Sequence, residues 1–490
     1  MINKHQEESL DPQDWKAMRA LGHRMVDDML SYLENARSGG GWRPMPEEAK
    51  DRLRIPLPKT AEGAEAAYND FVKTVLPYPL GNIHPRFWGW VIGTGTPLGA
   101  LSEMLIGTMN SNVPGGEHSA VYVERQVLDW CKEMVGFPSG ASGLLVTGCS
   151  IANLIGLTVA RNVKAGFDVA QEGLAGAAHK PTFYGSVEMH SSLKKAIETI
   201  GIGRESLRLI PVDSKFEIDL FALDAAIASD KANGFRPCGI IGNAGTVNTG
   251  AIDPLDRLAD VCEEENLWFH IDGAFGALAM LSPQLRPLLK GMERADSLAF
   301  DLHKWMYMNY AAGCILIRDK DNHHRSFSTS GTYLARSPRG VTGDQPWLSE
   351  YGLDLSRNAK GIKIWMSLKE HGADKYGRII QQNVNQARYL ESLVKAQDEL
   401  ELMVPTALNV VCLRFVHPSL SDAELNVINA EALSDVQEAG VAVPSGTVLN
   451  GKYTIRVAIT NHRSRRDDFD VFVSKFVEFA RMRMPALTPA

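Results

Sequence analysis

Between residues 90 and 380 the sequence alternates short apolar runs with segments that have a helical repeat. The apolar runs are rich in β-branched and aromatic residues and cover 143–148, 238–246, 267–272, 297–301 and 313–319. Helix-like segments follow the first two, at 150–163 and 253–266. Strands bounded by helices are typical of an α/β protein with a mainly parallel sheet covered on both faces. Ligands bind such sheets beyond the carboxyl ends of the strands.

Two further regions flank this pattern. Residues 11–36 space their large apolar side chains at three- and four-residue steps, which predicts a helix, and 67–78 predicts a shorter one. We therefore expect residues 1–85 to form an N-terminal helical arm that wraps another domain or subunit. Residues 86–385 are predicted to form the large domain. Residues 386–490 are predicted to form a small α+β domain, with strands at 407–416 and 453–460 and a closing helix at 466–482.

Composition excludes several classes of protein. A formal net charge of −7 argues against nucleic acid or an anionic membrane as the main partner. The N-terminus has no apolar signal-like segment, and no apolar run is long enough for a membrane span. The six cysteines are scattered without metal-like spacing, so reduced thiols in a cytoplasmic protein are expected.

Polar residues lie at or just beyond the ends of the predicted strands, where a ligand would bind. They are Thr147, Gly148, Cys149 and Ser150 at the first strand, Thr246 at the second, Asp272 at the third, and Asp301, His303 and Lys304 at the fourth. Each motif alone has an ordinary structural interpretation. The Gly/Ser turn matches neither the dinucleotide nor the P-loop pattern, and the "MHSS" segment containing His190 is also a plain serine-capped helix start. A metal-dependent hydrolase built from His270, Asp272, His303 and His323 or His324 is a weaker alternative.

Together these residues fit pyridoxal phosphate chemistry. Such an enzyme needs a lysine that forms a Schiff base, with a pKa low enough for the amine to be nucleophilic. It also needs a carboxylate at the pyridine nitrogen, a phosphate cradle and a flat group against the ring. Lys304 is predicted to be the lysine and Asp272 the carboxylate. The helix start at 147–150 is the predicted phosphate cradle, and His190 the flat group.

The ordered motifs "HIDGAFG" (270–276), "ADSLAFDLHKW" (295–305), "NIHPRFWGWV" (82–91) and "GNAGTVNTGAIDPL" (242–255) resemble the group II pyridoxal phosphate-dependent decarboxylases. That family includes the aromatic-L-amino-acid decarboxylases. The resemblance covers most of the chain. It implies a type I aminotransferase-like fold and a homodimer with active sites at the interface.

The resemblance also implies roles for individual residues. Lys304 matches the Schiff-base lysine, Asp272 the partner of the ring nitrogen, Ala274 the residue beneath the ring, and His190 the stacking histidine. The turn 147–150 matches the phosphate site, and Thr246 and His303 line the cofactor site. Asp301 stands where aromatic decarboxylases often have asparagine, and Cys149 stands where the family usually has a smaller residue.

The long polar stretch at 320–350 is predicted to be a lid loop. In the family a lid tyrosine donates the proton that leads to the amine, and its loss diverts the reaction to an aldehyde. Here the corresponding position falls near Trp347 or Leu348, so Tyr333 and Tyr351 are the candidate donors. Trp88, Trp90, Val91 and Trp347 are predicted to line the substrate pocket. The sequence therefore predicts decarboxylation of an aromatic L-amino acid to its amine, with aromatic aldehyde synthesis as the alternative.

Overall fold

The computed structural model describes residues 8–328, 337, 339–343 and 346–484. Its helices in the N-terminal half are α1 (Trp15–Glu34), α2 (Glu47–Asp51), α3 (Ala64–Asp70), α4 (Pro97–Met109), α5 (Ser119–Val135), α6 (Cys149–Lys164), α7 (Val169–Glu172), α8 (Ser191–Thr199) and α9 (Leu220–Ala232). The later helices are α10 (Leu255–Glu265), α11 (Lys320–Phe327), α12 (Gly361–His371), α13 (Ala373–Lys395), α14 (Asp422–Glu438) and α15 (Arg466–Met482).

Two sheets organise the chain. The strands of the larger sheet are β1 (Ser142–Val146), β2 (Pro181–Ser186), β3 (Leu207–Ile210), β4 (Arg236–Asn243), β5 (Trp268–Asp272), β6 (Ser297–Asp301) and β7 (Gly313–Ile317). The strands of the smaller sheet are β8 (Leu400–Leu402), β9 (Val410–Phe415), β10 (Ser445–Leu449) and β11 (Lys452–Ala458).

The larger sheet has the order β1-β7-β6-β5-β4-β2-β3. Strand β7 runs antiparallel to both of its neighbours, and the other pairs are parallel. Every residue of β5, β6 and β7 is buried, as expected for central strands covered on both faces. Because β1, β2, β4, β5 and β6 point the same way, their carboxyl ends meet along one edge of the sheet. The predicted α/β class with a mainly parallel sheet is therefore confirmed.

The smaller sheet is antiparallel, in the order β10-β11-β9-β8. Its strands pack on α13 and α14, and α15 packs on both of these helices. The core of this unit contains the buried side chains Leu413, Phe415 and Val457. The boundary predicted at residue 385 falls inside α13, which packs against both α15 and the turn Gly276–Leu281 that follows β5. The division of the chain into three domains stays a prediction.

Several local predictions differ from the structure. Strands β2 and β3 were not predicted, because "PTFYGS" contains proline, glycine and serine and becomes a strand only through its neighbours. Residues 357–398, whose sequence is typical of one long helical stretch, contain two helices that meet at Gly372, whose φ of 71° ends α12. The stretch predicted as a loop at 320–350 begins with helix α11, since Asp319 caps it by accepting from the amides of Asp321 and Asn322.

The N-terminal arm packs lightly on its own chain. Helix α1 has 20 residues, of which only Leu21 is buried. It is held to α3 by the Arg24–Glu65 ion pair and by a hydrogen bond that Tyr68 donates to Asp28. Among the described residues, no helix is both long and apolar enough to cross a membrane.

Candidate active site

Lys304 and Asp301 form an ion pair at the end of β6. Asp301 is the last residue of that strand, and the turn that follows brings Lys304 Nζ to 2.8 Å from Asp301 Oδ2. The lysine side chain is 21% exposed, whereas the aspartate is 2% exposed. The other carboxylate oxygen accepts the amide hydrogen of Cys149 at 2.8 Å. This pairing explains how a lysine is accommodated in an otherwise apolar stretch.

The pKa of Lys304 differs from the sequence expectation. Burial alone would lower the pKa of this ammonium, but the charge of Asp301 and its hydrogen bond outweigh burial and raise the pKa. For the chain without cofactor, the expectation that the pKa of Lys304 is lowered is therefore wrong. The reason is Asp301, since an opposite charge in contact with an ammonium favours its charged form.

Asp272 ends the neighbouring strand β5 and is buried. Its Oδ2 accepts a hydrogen bond from Asn153 Nδ2 at 3.1 Å, and its Oδ1 accepts from the amide of Ala274 at 3.0 Å. The Cys149 thiol lies 3.9 Å from the same Oδ1. These contacts fix the carboxylate at the carboxyl edge of the sheet, in the same region as Lys304.

A buried chain of hydrogen bonds behind Asp272 was not predicted. Asn153 Oδ1 lies 2.9 Å from His270 Nε2, and His270 Nδ1 lies 2.8 Å from Ser297 Oγ. Burial lowers the pKa of His270 to about 3, so the ring is neutral and can donate from one nitrogen only. Donation from Nε2 to Asn153 leaves the amide group of Asn153 facing Asp272. The sequence contains a signal for the position of Asn153, because this residue follows Cys149 by four residues and therefore lies on the same face of the helix.

The turn into α6 has the form of an anion site. Gly148 is the N-cap and supplies no side chain, while Thr147 and Ser150 are exposed beside it. A side chain at Gly148 would come within 3.3 Å of the His303 ring. Burial, with the charges of Asp301 and Asp272, raises the pKa of the Cys149 thiol well above its usual value, so this residue is an uncharged thiol. A 16-residue helix directs its amino end here, where the helix dipole favours a phosphate.

His190, Thr246 and His303 also follow strands at the carboxyl edge of the larger sheet. His190 caps α8 through Nδ1, which accepts from the amide of Ser192 at 3.2 Å. Partial burial and the Lys304 charge lower its pKa, so the imidazole is neutral. Burial, and secondarily Lys304, lowers the pKa of His303 to about 4, and its Nδ1 accepts from the amide of Ala312 at 3.1 Å. Thr246 is buried after β4, with its hydroxyl 3.0 Å from that of Thr249.

The predicted substrate residues differ in how far they are exposed. Trp88 is 1% exposed, stacks on Phe469 at 4.7 Å and donates to Ser464, so it packs in the core of the small sheet. That burial leaves Trp88 no open surface for a substrate. Trp90, with φ of 51°, is 55% exposed, and Val91 is buried.

The segment after Val91 lies against the lysine turn. A Cβ on Gly93 would come within 2.1 Å of the His303 carbonyl oxygen and within 2.5 Å of that of Lys304. Glycine is therefore required for this approach. Gly93 follows Val91 by two residues and Trp90 by three, and the role of these two residues in the substrate pocket stays a prediction.

The lid residues fall outside the cluster formed by Lys304 and Asp272. Trp347 packs on the backbone of Gly115 and donates from Nε1 to the Thr342 carbonyl at 3.2 Å. The Tyr351 ring packs edge-on against His323, 5.0 Å between centroids, and His323 contacts Ser142 at the amino end of β1. That end is about 13 Å from the carboxyl end, at about 3.3 Å per residue. Tyr333 lies outside the described residues.

Comparison with known proteins identifies the family of this chain. The family model described as "Pyridoxal-dependent decarboxylase conserved domain" matches residues 46–416. The chain belongs to the pyridoxal-dependent decarboxylase family. It is 30% identical over 461 residues to an aromatic-L-amino-acid decarboxylase of Bacillus atrophaeus, covering 92% of this chain and 93% of that protein. It is 27% identical over 475 residues to a phenylacetaldehyde synthase of Petunia hybrida, covering 92% and 91%.

The fold comparison agrees with the family. The crystal structure of Oryza sativa TDC with PLP and tryptamine superposes with a TM-score of 0.90 at 23% identity, covering 97% of this chain and all of that one. The predicted type I aminotransferase-like fold is thereby confirmed.

As a member of this decarboxylase family, the chain is a pyridoxal phosphate-dependent enzyme that acts on an amino acid. The described residues fit the cofactor. Lys304 supplies an amine, Asp272 a buried carboxylate and the amino end of α6 an anion site, all at one edge of the sheet. For the metal-hydrolase alternative, the described residues contain no group of three or more His, Cys, Asp or Glu side chains able to hold a metal ion.

Two further residues were missed from the sequence. Tyr310 packs on the His303 ring at 4.2 Å and is half exposed, and burial raises its pKa to about 12. Arg456 of β11 is buried and donates from Nη1 to the Trp90 carbonyl at 2.8 Å, while its Nη2 has no hydrogen-bond partner among the described residues. Neither residue lies in the motifs that predicted the site.

Proposed function

We propose that this chain decarboxylates an aromatic L-amino acid to the corresponding amine and CO2. The observation that carries the proposal is the placement of Lys304, Asp272 and the amino end of α6 at one sheet edge. It occurs in a chain 30% identical over nearly its full length to an aromatic-L-amino-acid decarboxylase. Trp90 is exposed and lies three residues before Gly93, which contacts the lysine turn; this supports an aromatic substrate, since an aromatic wall suits an aromatic side chain.

The residues divide the work as follows. When bound, pyridoxal phosphate supplies an aldehyde that condenses with amines and a ring that accepts the electrons released by loss of CO2. Lys304 is the amine that would bind the aldehyde, and Asp272 would hold a proton on the ring nitrogen. Thr147, Gly148, Cys149 and Ser150 would receive the phosphate, and His190 and Ala274 would lie against the ring. Thr246, Asp301 and His303 would border the cofactor.

Arg456 is suited to hold the Trp90 segment in place. It is a buried guanidinium that donates from Nη1 to the Trp90 carbonyl and from Nε to the Asn248 carbonyl. A lysine has one donor group in place of this fork, so the Trp90 segment would be held less firmly. We expect Arg456→Lys to raise KM for the amino acid without loss of cofactor.

The second candidate function is an aromatic aldehyde synthase. It is favoured by the lid, where the position expected for the donor tyrosine falls near Trp347 or Leu348. This reaction consumes O2 and water and releases aldehyde, CO2, ammonia and hydrogen peroxide. Without a proton donor at the reacting carbon, O2 can take the electrons that would otherwise be retained in the amine product.

Product analysis separates the two functions. Holoenzyme is incubated with L-tryptophan, L-tyrosine, L-phenylalanine or L-Dopa, and amine, aldehyde and peroxide are quantified together. Amine without peroxide is expected. Peroxide and aldehyde in equal amounts, without amine, would establish the alternative. Separate Tyr310→Phe, Tyr333→Phe and Tyr351→Phe variants then locate the proton donor, since its replacement converts an amine product to an aldehyde.

We also propose that the protein is a cytoplasmic homodimer with active sites at the subunit interface. All six cysteines are free thiols, which suits a reducing compartment. Helix α1 leaves almost all of its residues exposed on the single chain, which suits packing against a second subunit.

A further inference from the structure

Asp301 is the carboxylate in direct contact with the lysine, and it is anchored on both of its oxygens. Its Oδ2 lies 2.8 Å from Lys304 Nζ and 3.7 Å from His303 Nε2. Its Oδ1 accepts the Cys149 amide hydrogen at 2.8 Å, at the first residue of α6. A carboxylate anchored to a helix end and almost fully buried keeps its place when the lysine moves.

The remaining titratable groups that face Lys304 are Asp272 from β5, Cys149 from α6, His190 at the start of α8, His303 from the same turn and Tyr310 beyond it. Burial lowers the pKa of both histidines and raises the pKa of the thiol and of the phenol. At neutral pH these four are uncharged, so carboxylates are the charges that face the lysine. Among the described residues, Asp301 alone is in ion-pair contact with its Nζ.

This contact matters because the lysine reacts only as a neutral amine. The ammonium first passes a proton to Asp301 or to water. The amine nitrogen then adds to the aldehyde carbon, and the aldehyde oxygen leaves as water. Whenever Lys304 is not joined to the cofactor, the adjacent carboxylate favours return of the proton to its nitrogen.

We propose that Asp301 is a positioning residue that holds free Lys304 as an ammonium ion, and so sets the pH range in which the chain captures the cofactor aldehyde. The inference rests on the pyridoxal phosphate dependence described above. It assigns Asp301 a role toward the lysine that is separate from any contact with the phosphate.

The first experiment measures the lysine without cofactor. Apoenzyme is labelled with trace acetic anhydride over a range of pH, and the peptide that carries Lys304 is quantified by mass spectrometry. Peptides with exposed lysines, such as Lys59, serve as the internal reference. Asp301→Asn should raise the labelling rate of Lys304 at neutral pH by about tenfold for each unit by which the pKa falls. Asp301→Glu, which keeps the charge, should label like the wild type.

The second experiment separates the lysine from the phosphate. Capture of pyridoxal and of pyridoxal phosphate by apoenzyme is followed by absorbance against pH. With Asp301→Asn, the pH midpoint of the capture rate should move down for both aldehydes. The matched variant Asp272→Asn removes a carboxylate that does not touch Nζ and should move the midpoint less.

An unchanged midpoint and an unchanged labelling rate in Asp301→Asn would overturn the proposal. A change confined to pyridoxal phosphate would also overturn it, because Asp301 would then act on the phosphate. Should Asp301→Asn not fold, the wild-type titration decides, and a Lys304 midpoint at or below the ordinary lysine value of 10.5 counts against it. Failure of the wild type to capture pyridoxal phosphate would refute the cofactor assignment, whereas the labelling result still tests Asp301.

Discussion

At the scale of single residues, Lys304 and Asp272 have opposite relations to their surroundings. Lys304 has one strong partner, Asp301, and keeps part of its side chain open. Asp272 is buried and accepts hydrogen bonds from Asn153 and from the amide of Ala274. The first arrangement suits a group that must react, and the second suits a charge that must stay in place. This difference supports separate roles for two residues that were predicted together.

Asp272→Asn tests the second role. The amide keeps the shape of the carboxylate but cannot hold a proton on the ring nitrogen, so the cofactor loses much of its capacity to accept electrons. We expect cofactor to bind, kcat to fall at least about 100-fold, as for removal of a strong electrostatic contact, and the absorbance spectrum of the bound cofactor to change.

Lys304→Ala is the reference for complete loss in that experiment, because it removes the amine and should hold cofactor only weakly. Thermal unfolding of both variants controls for folding. Normal turnover in Asp272→Asn would place the partner of the ring nitrogen elsewhere.

At the scale of elements, α6 links the phosphate end of the site to the ring end. Its first residue, Cys149, binds Asp301 through its amide, and one turn later Asn153 binds Asp272. One helix therefore sets the spacing between the ends of β5 and β6 and the anion site. His270 and Ser297, on β5 and β6, hold the Asn153 side chain in orientation.

Asn153→Ala tests this link. It removes a donor from Asp272 and leaves His270 Nε2 buried without its partner, so the free energy of unfolding should fall by about 1–3 kcal/mol. The matched control is Asn429→Ala, since Asn429 is equally buried but bonds the backbone at Phe415 in the small sheet. Both variants should lose stability, but only Asn153→Ala should lower kcat at saturating cofactor. Equal kcat values in the two variants would show that the contact with Asp272 does not affect catalysis.

Individual elements show which parts of the fold the sequence predicts. The predicted ends of strand β6 and helix α15 agree with the observed ones, because an uninterrupted apolar run and a clear amphipathic repeat depend on local sequence. Lys304 and Asp272 were found because they lie at or just beyond the carboxyl end of a strand. Asn153 shares a helix face with Cys149, but only the packing of that helix on the sheet brings it to Asp272. Arg456 and Tyr310 were missed because only tertiary packing brings them to the Trp90 carbonyl and to the His303 ring. The burial of Trp88 was missed for the same reason.

At the scale of the whole molecule, the N-terminal helix α1 exposes apolar side chains that a second surface would cover. A helix of 20 residues with one buried side chain gains little from its own chain, and isolated helices are marginal in water. Trp15, Met18 and Met25 lie on one stripe and are exposed by 58%, 36% and 41%. An apolar stripe of this kind is stabilised when a second surface covers it.

The stripe therefore provides the test of the homodimer. Wild-type enzyme should sediment at twice the 53.8 kDa chain mass. Met18→Glu combined with Met25→Glu places two charges where apolar contact is expected, which should weaken the dimer and lower the cofactor content, because the active sites are proposed to lie between subunits. Phe221→Glu is the matched control, since Phe221 on α9 is also an exposed apolar side chain, at 89%, but stands outside the arm. Sedimentation equilibrium at several protein concentrations, with cofactor absorbance read in the same cell, measures both effects. A double variant that stays dimeric would mean that the arm covers its own subunit, and a wild type that is monomeric yet active would remove the interface from the proposed site.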